Sequence, residues 1–302
     1  MTKLSLETPS LPTYLPPRYE IRRLRPEHRD WISAIVIHSN LFCGSIFPKV
    51  YPENIQARAY GALPAAKYLV EHQIESGHSF GIFDLEYEYK TEEAKKAGGK
   101  LLWDFKNTDI TSTELLRQMD FPLVSVAMAY DGINALDMGE LMNLIAFLPC
   151  FGTIYHTLEG LDLRKPEDWK PNGPNEVLLR NATSTRADYE GQGLMKKLAQ
   201  FLMRYAAEQG FRGIQIECIA DAVTHVWSKP PAPFKGSVVS EFNTWEYEED
   251  EEVDGQKTGK KINPFQGPPP KNEIGRQRVT KVYAELKPYT PSAVNGHANG
   301  TA

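Results

Sequence analysis

Residues 185–202, TRADYEGQGLMKKLAQFL, join a strand to a helix through Gly191-Gln192-Gly193, and the first turn of that helix carries Lys196 and Lys197. A helix start holds roughly half a positive elementary charge, so cations there are mildly unfavourable. Glycines and lysines set among N–H groups that already point outward fit a site awaiting an anion. Gly191 and Gly193 let the main chain approach a ligand closely, and the local geometry suits a pyrophosphate whose charge offsets the lysines. No Gly-Lys-Ser/Thr follows and the third glycine of GxGxxG is missing, so neither the P-loop nor the dinucleotide fingerprint is present.

The flanks read clearly. VLLRNATST (177–185) predicts a strand before the turn. After it, Leu194, Leu198, Phe201, Leu202 and Tyr205 recur at helical spacing, with Lys196, Lys197, Gln200, Arg204 and Glu208 opposite and Gly210 closing the helix. FRGIQIECIA (211–220) is another strand, followed by a short helix or turn, DAVTHVWSK.

Upstream, YEIRRL (19–24) predicts a strand and RPEHRDWISAIVIHSN (25–40) an amphipathic helix; a second helical pattern over 53–76 is broken or kinked by Pro64. SFGIFDLEY (79–87) and PLVSVAMAYD (122–131) predict strands separated by a charged insertion, and a helical insertion covers 135–160. Downstream, GSVVSEFNTWEYE (236–248) and RQRVTKVYAELK (276–287) predict paired strands. Their connector, 249–273, is acidic, then basic, then proline-rich, and reads as mobile. The sum is one mixed α/β domain over 19–287, with insertions at 90–120 and 132–175. Flexible tails are expected at 1–18 and 288–302. A doubly wound sheet would alternate strand and helix throughout, and this chain does not.

The bulk properties exclude several classes. With 302 residues, 41% hydrophobic, the chain can bury a full core, and a net charge of -5 argues against a nucleic-acid surface. Cys43, Cys150 and Cys218 lie far apart without metal-ligand spacing, as reduced thiols of a cytoplasmic protein would. The apolar run 141–158 is interrupted by Asn143, Pro149, Gly152 and His156, which predicts a buried helix and a bend, not a membrane span.

The run Ala187-Asp-Tyr-Glu-Gly-Gln-Gly-Leu-Met195 resembles the signature of the GNAT superfamily of acyl-CoA-dependent N-acetyltransferases, Arg/Gln-x-x-Gly-x-Gly/Ala between a strand and a helix. Tyr189, Gly191, Gly193 and the helix match. Glu190 stands where the family has Arg or Gln, and Met195 where it has Gly or Ala. The strand order is also similar from residue 19 to 287. The resemblance implies a central, mostly antiparallel sheet of about seven strands, flanked by helices and splayed between the fourth and the fifth. Pantetheine would lie in that opening along Thr183, Ser184 and Thr185. The diphosphate would rest on Glu190, Gly191, Gln192, Gly193, Leu194 and Met195. Lys196 or Lys197 would meet the phosphates, or be only the solvated face of a helix; of the two, Lys197 is taken as the cofactor-binding one.

The activity so implied is direct acetyl transfer from acetyl-CoA to the amine of a small molecule, with a peptide or protein amine as the nearest variant. No metal, nucleic acid or membrane is implied; a homodimer is left open. The rival is a non-catalytic module that binds acyl-CoA or a partner protein. Glu217 is the first candidate for the base, since it alternates with Ile214, Ile216 and Cys218 on a strand bordering the cleft. Its plain alternatives are pairing with Arg180 or facing water. Asp221 is the second candidate, or simply a helix N-cap. A main-chain N–H near Thr185 would polarise the thioester carbonyl. Trp227 occupies the position of the family's acidic tyrosine and cannot give up a proton near neutrality, so His225 beside it is the candidate acid, or a surface residue. Trp103, Phe105, Phe147, Phe151 and Tyr155 line an acceptor pocket or belong to the core. The acidic run 246–254 steers a cationic amine or keeps a loop soluble.

Overall fold

One strand pair in the central sheet runs parallel, and every other pair is antiparallel. The structure, a computed structural model, describes residues 8–253 and 255–286. Its main strands are β1 (Tyr19–Arg23), β2 (Phe80–Asp84), β3 (Leu123–Asp131), β4 (Val177–Thr185), β5 (Gly213–Cys218), β6 (Lys235–Asn243) and β7 (Arg278–Glu285). Their spatial order is β1-β2-β3-β4-β5-β7-β6, and the parallel pair is β4 with β5.

Helices cover both faces, so all of β3 is buried. Val126 and Met128 face α1 (Arg29–His38), α2 (Ile55–Ala65), α3 (Lys67–Glu75), α4 (Met138–Phe147) and α5 (Pro149–Gly160). Val124, Ala127 and Ala129 face α6 (Leu194–Glu208) and α7 (Asp221–Ser228). A parallel pair requires a crossover, and α6 provides it. Its expected apolar stripe packs on the sheet, and Gly210, at φ +89°, closes it. Pro64 falls in the last turn of α2, and α3 starts at Lys67. The apolar run over 141–158 bends at Leu148, where Pro149 opens α5. Among the described residues no helix is long and apolar enough to cross a membrane.

Three expectations need correcting. Arg204 does not face water: it is 6% exposed, donates to the Pro12 carbonyl at 2.7 Å and lies over the Tyr14 ring. The cause is the amino-terminal segment, expected as a tail. Residues 8–18 lie against α6, with Leu11 buried and the Arg23 N–H donating to Thr8 Oγ1. The connector is not a loose loop either. Glu249–Val253 pairs with Gln256–Ile262 as a hairpin in which Asp250 meets Lys257 and Lys261, and Phe265 then inserts beside Phe242 and Tyr247. The acidic and basic runs are two complementary strands. Residues 1–7 and 287–302, which include the other expected tail, lie outside the described residues.

Candidate active site

β4 and β5 pair only from Val177 opposite Gly213 to Arg180 opposite Ile216, and beyond that point they part. β4 continues along β3, from Ala182 opposite Met128 to Thr185 opposite Ser125, with Asn181 as the extra residue of a bulge. The Arg186 N–H donates to the Val124 carbonyl. In an antiparallel ladder that bond sets the alternation: Ser184 and Ala182 turn their main chain toward β3, and Thr183 and Thr185 turn theirs into the gap.

A cleft of about 560 Å³ occupies this opening. Thr183, Ser184 and Thr185 form one wall, and Glu190, Gly191, Gly193, Leu194, Met195 and Lys196 form another. The third wall is a π-helical turn after α1, Ser39–Cys43, which brings in Ser39, Asn40 and Cys43. Ser39 Oγ donates to Ser184 Oγ at 2.8 Å.

Gly191 and Gly193 take φ of +77° and +71°, and a Cβ at either would meet nothing within 4 Å. Backbone angle, not crowding, selects glycine here. No side chain caps α6, and its first N–H groups have no acceptor within the helix. The loop is pinned from behind. Tyr189 donates to Asp84 at 2.7 Å, and the buried Arg186 guanidinium donates twice to Asp188 and once to the Phe121 carbonyl. Gln192 and Lys197, both expected at the cofactor, are not among the lining residues. Gln192 Oε1 accepts from Tyr19, and Lys196 takes the place expected of Lys197. Glu190 does line the cleft, and burial raises its carboxyl pKa.

Past Thr183 and Ser184 the cleft narrows to a neck of about 90 Å³, bounded by Met128, Ile216 and Glu217. The neck shares Tyr155, Asn181 and Glu217 with an outer cavity of about 450 Å³ that borders α4 and α5. The three spaces therefore run in series through the splayed sheet, with Glu217 where neck meets outer cavity.

Glu217 is half-buried, and burial pushes its carboxyl up to about 7 against the opposing field of Lys281, its register partner on β7. It has no ion-pair partner among the described residues, and Arg180 is occupied elsewhere. The Arg180 guanidinium, itself 1% exposed, donates to the Ala182 carbonyl and lies over the fully buried Trp227; burial lowers its pKa to about 9. Trp227 is thus a floor for Arg180. Asp221 and His225 are exposed and line neither the neck nor the cavities; Asp221 accepts from Gln277 at 2.9 Å.

Of the aromatic residues in the insertions, Phe151 and Tyr155 reach the neck and outer cavity, while Trp103 is core, donating to the Leu115 carbonyl. Asn181 donates to the Tyr155 hydroxyl at 3.4 Å. Burial and the nearby Glu217 hold that phenol well above its usual pKa, so it keeps its proton. Asn181, Ser39 and Asn40 carried no signal in the sequence.

No protein-family model and no curated protein matches the chain. Solved structures do. The C-terminal condensation domain of Ebony, in complex with beta-alanyl-dopamine, is similar at a TM-score of 0.50 and 17% identity, over 89% of this chain and 99% of that one. The fold is the GNAT fold. Two further solved structures each cover 89% of this chain. Arylalkylamine N-acetyltransferase 2 from Aedes aegypti is similar at 13% identity and a TM-score of 0.49, over 98% of its own length. The polyamine N-acetyltransferase of Drosophila melanogaster is similar at 11% and 0.47, over all of its length (100%). At such identities the likeness concerns the fold alone.

Proposed function

We propose that this chain is an acetyl-CoA-dependent N-acetyltransferase that moves an acetyl group directly to the amine of a small molecule. The observation that carries this reading is the line of space through the splayed sheet, running from the open amides at Gly191–Leu194 past Thr183 to Glu217 and the outer cavity. The residues suit the cosubstrate. Uncapped amides and Lys196 would take the diphosphate, and the free main-chain edge at Thr183 and Thr185 would take the pantetheine amides as an added strand does. The thioester supplies the activated acyl carbon.

The chain's own groups divide the remaining work. Glu217, near half-ionised at neutrality, accepts the proton of the incoming ammonium. A main-chain N–H at Thr183 or Thr185 donates to the carbonyl oxygen as charge develops there. The C–N bond forms and the C–S bond breaks; the nitrogen's second proton leaves with the sulfur as thiol. Tyr155 keeps its proton and contributes a hydrogen bond only. A cytoplasmic location agrees with three free thiols.

Acetyl-CoA at about 100 times its Kd should stabilise the fold by about 2.7 kcal/mol, raising Tm by several degrees, while ATP and NAD leave it unchanged. Thiol release in the presence of amines then tests transfer; stabilisation without release by any amine would leave only a binding module. Gly193→Val forces a β-branched residue to φ +71° and should weaken acetyl-CoA about tenfold, the cost of about 1–2 kcal/mol of backbone strain in the cradle. Calorimetric titration of the variant checks this.

A further inference from the structure

We infer that the acceptor is a monoamine whose single ammonium is carried on an apolar body, an alkyl or arylalkyl amine, and that the α4–α5 hairpin selects it; this rests on the acetyl-transfer reading above. The apolar part of the outer cavity's lining is Leu69, Leu136, Leu141, Leu144, Ile145 and Phe151, with polar side chains such as Tyr130 and His156 beside it. Its two carboxylates lie at different depths. Glu217 stands at the inner end, where the reacting nitrogen belongs, and Glu159 is exposed on the last turn of α5. A second ammonium partway along would leave water for leucine side chains. Arg180, which lines the same cavity and has no ion-pair partner among the described residues, adds a positive charge that disfavours a second one.

The surface continues this character outward. Met138 is 61% exposed and Met142 57%, both on α4, and Leu163, just past α5, is 93% exposed. Met138 belongs at once to the surface and to the cavity wall. An apolar body that reaches the mouth of the cavity there meets the exposed Met138 side chain. A peptide acceptor would need polar partners for its main chain. Two of the amide groups here are already engaged: the Gln215 oxygen accepts from Arg164 at 2.8 Å, and the Asn181 N–H donates to Tyr155.

The test measures kcat/KM, by thiol release from acetyl-CoA with the full chain, for linear amines from propylamine to octylamine, phenethylamine, diaminoalkanes of matching length, spermidine and a tripeptide. The ratio should rise about fourfold per added methylene until the cavity is filled. A diamine should fall at least about thirtyfold below the monoamine of its length. Met138→Glu, at an exposed position that does not threaten folding, should flatten the series by lowering the longest chains most. A flat series, or faster turnover of diamines or the peptide, overturns the inference and leaves acetyl transfer standing. Absence of thiol release with every amine, while acetyl-CoA still raises Tm, overturns acetyl transfer itself and this inference with it.

Discussion

Glu217→Gln should lower kcat by about 10²- to 10⁴-fold, the usual contribution of a positioned base, and leave the acetyl-CoA Kd unchanged. The amide keeps the shape of the side chain, and the cradle lies on the far side of the neck from it. The pH profile gives the sharper readout. The working form is the carboxylate and burial holds its pKa at about 7. So kcat/KM in the parent protein should rise with pH through about 7 and level off above it, and the variant should lack that inflection.

Stability should move the other way. A glutamate whose pKa is raised by folding contributes fully at pH values below its unfolded value and loses that contribution as pH rises through about 7. Glu217→Gln should therefore match the parent in Tm near pH 4 and exceed it at pH 8. If activity and pH profile are those of the parent, Glu217 is not the base.

Part of this site was legible in the sequence because its signals are local. The stripe from Leu194 to Tyr205 needs only a helical period, and Glu217 is marked by alternation with Ile214, Ile216 and Cys218 on the strand. The turn before α6 was legible because glycine is the residue that takes positive φ, as Gly191 and Gly193 do, and because the apolar stripe from Leu194 marks the helix start. What stayed hidden depends on distant chain. Arg204 is on the outer face of its helix by period, and only the return of residues 8–18 buries it. Lys196 and Lys197 are one residue apart, about 100° around the helix, and which one reaches the cleft is decided by how α6 docks. Asp250 meets Lys257 and Lys261 only because the connector turns back at Gly255, whose φ is +75°. Tyr155 belongs to an insertion, and no spacing within that insertion says that α5 ends beside β6, where the Leu158 carbonyl accepts from Ser240. The alternation rule that recovers Glu217 is silent about the helix that encloses it.

The largest stability effect should come from Asp162, outside the reaction path but coupled to it. Its carboxylate is 2% exposed and takes two bonds from Arg164, at 2.9 and 2.6 Å, and a contact of 3.1 Å from the Lys281 ammonium. Arg164 also lies over the Tyr283 ring, and Lys281 over Trp169. The group ties the loop after α5 to β5 through Gln215 and to β7 through Lys281, the register partner of Glu217.

Asp162→Asn leaves two poorly solvated cations without their counter-charge, which should cost about 3–5 kcal/mol in urea unfolding at pH 7. The sign with pH follows from the arginine and lysine holding the carboxyl at about 2. Its contribution is complete above the ordinary aspartate range and is lost as pH falls from about 4 toward 2. The variant should be less stable than the parent at pH 7, and the two curves should converge in acid. Catalysis should report the same electrostatics. With Asp162 neutral, the Lys281 ammonium faces Glu217 alone and should draw the inflection in kcat/KM below 7. Lys281→Met removes that field and should push the inflection above 7. Shifts of opposite sign from two variants that both destabilise the fold cannot come from loosened packing, which would move both the same way. Inflections that stay together would mean that Lys281 does not tune Glu217.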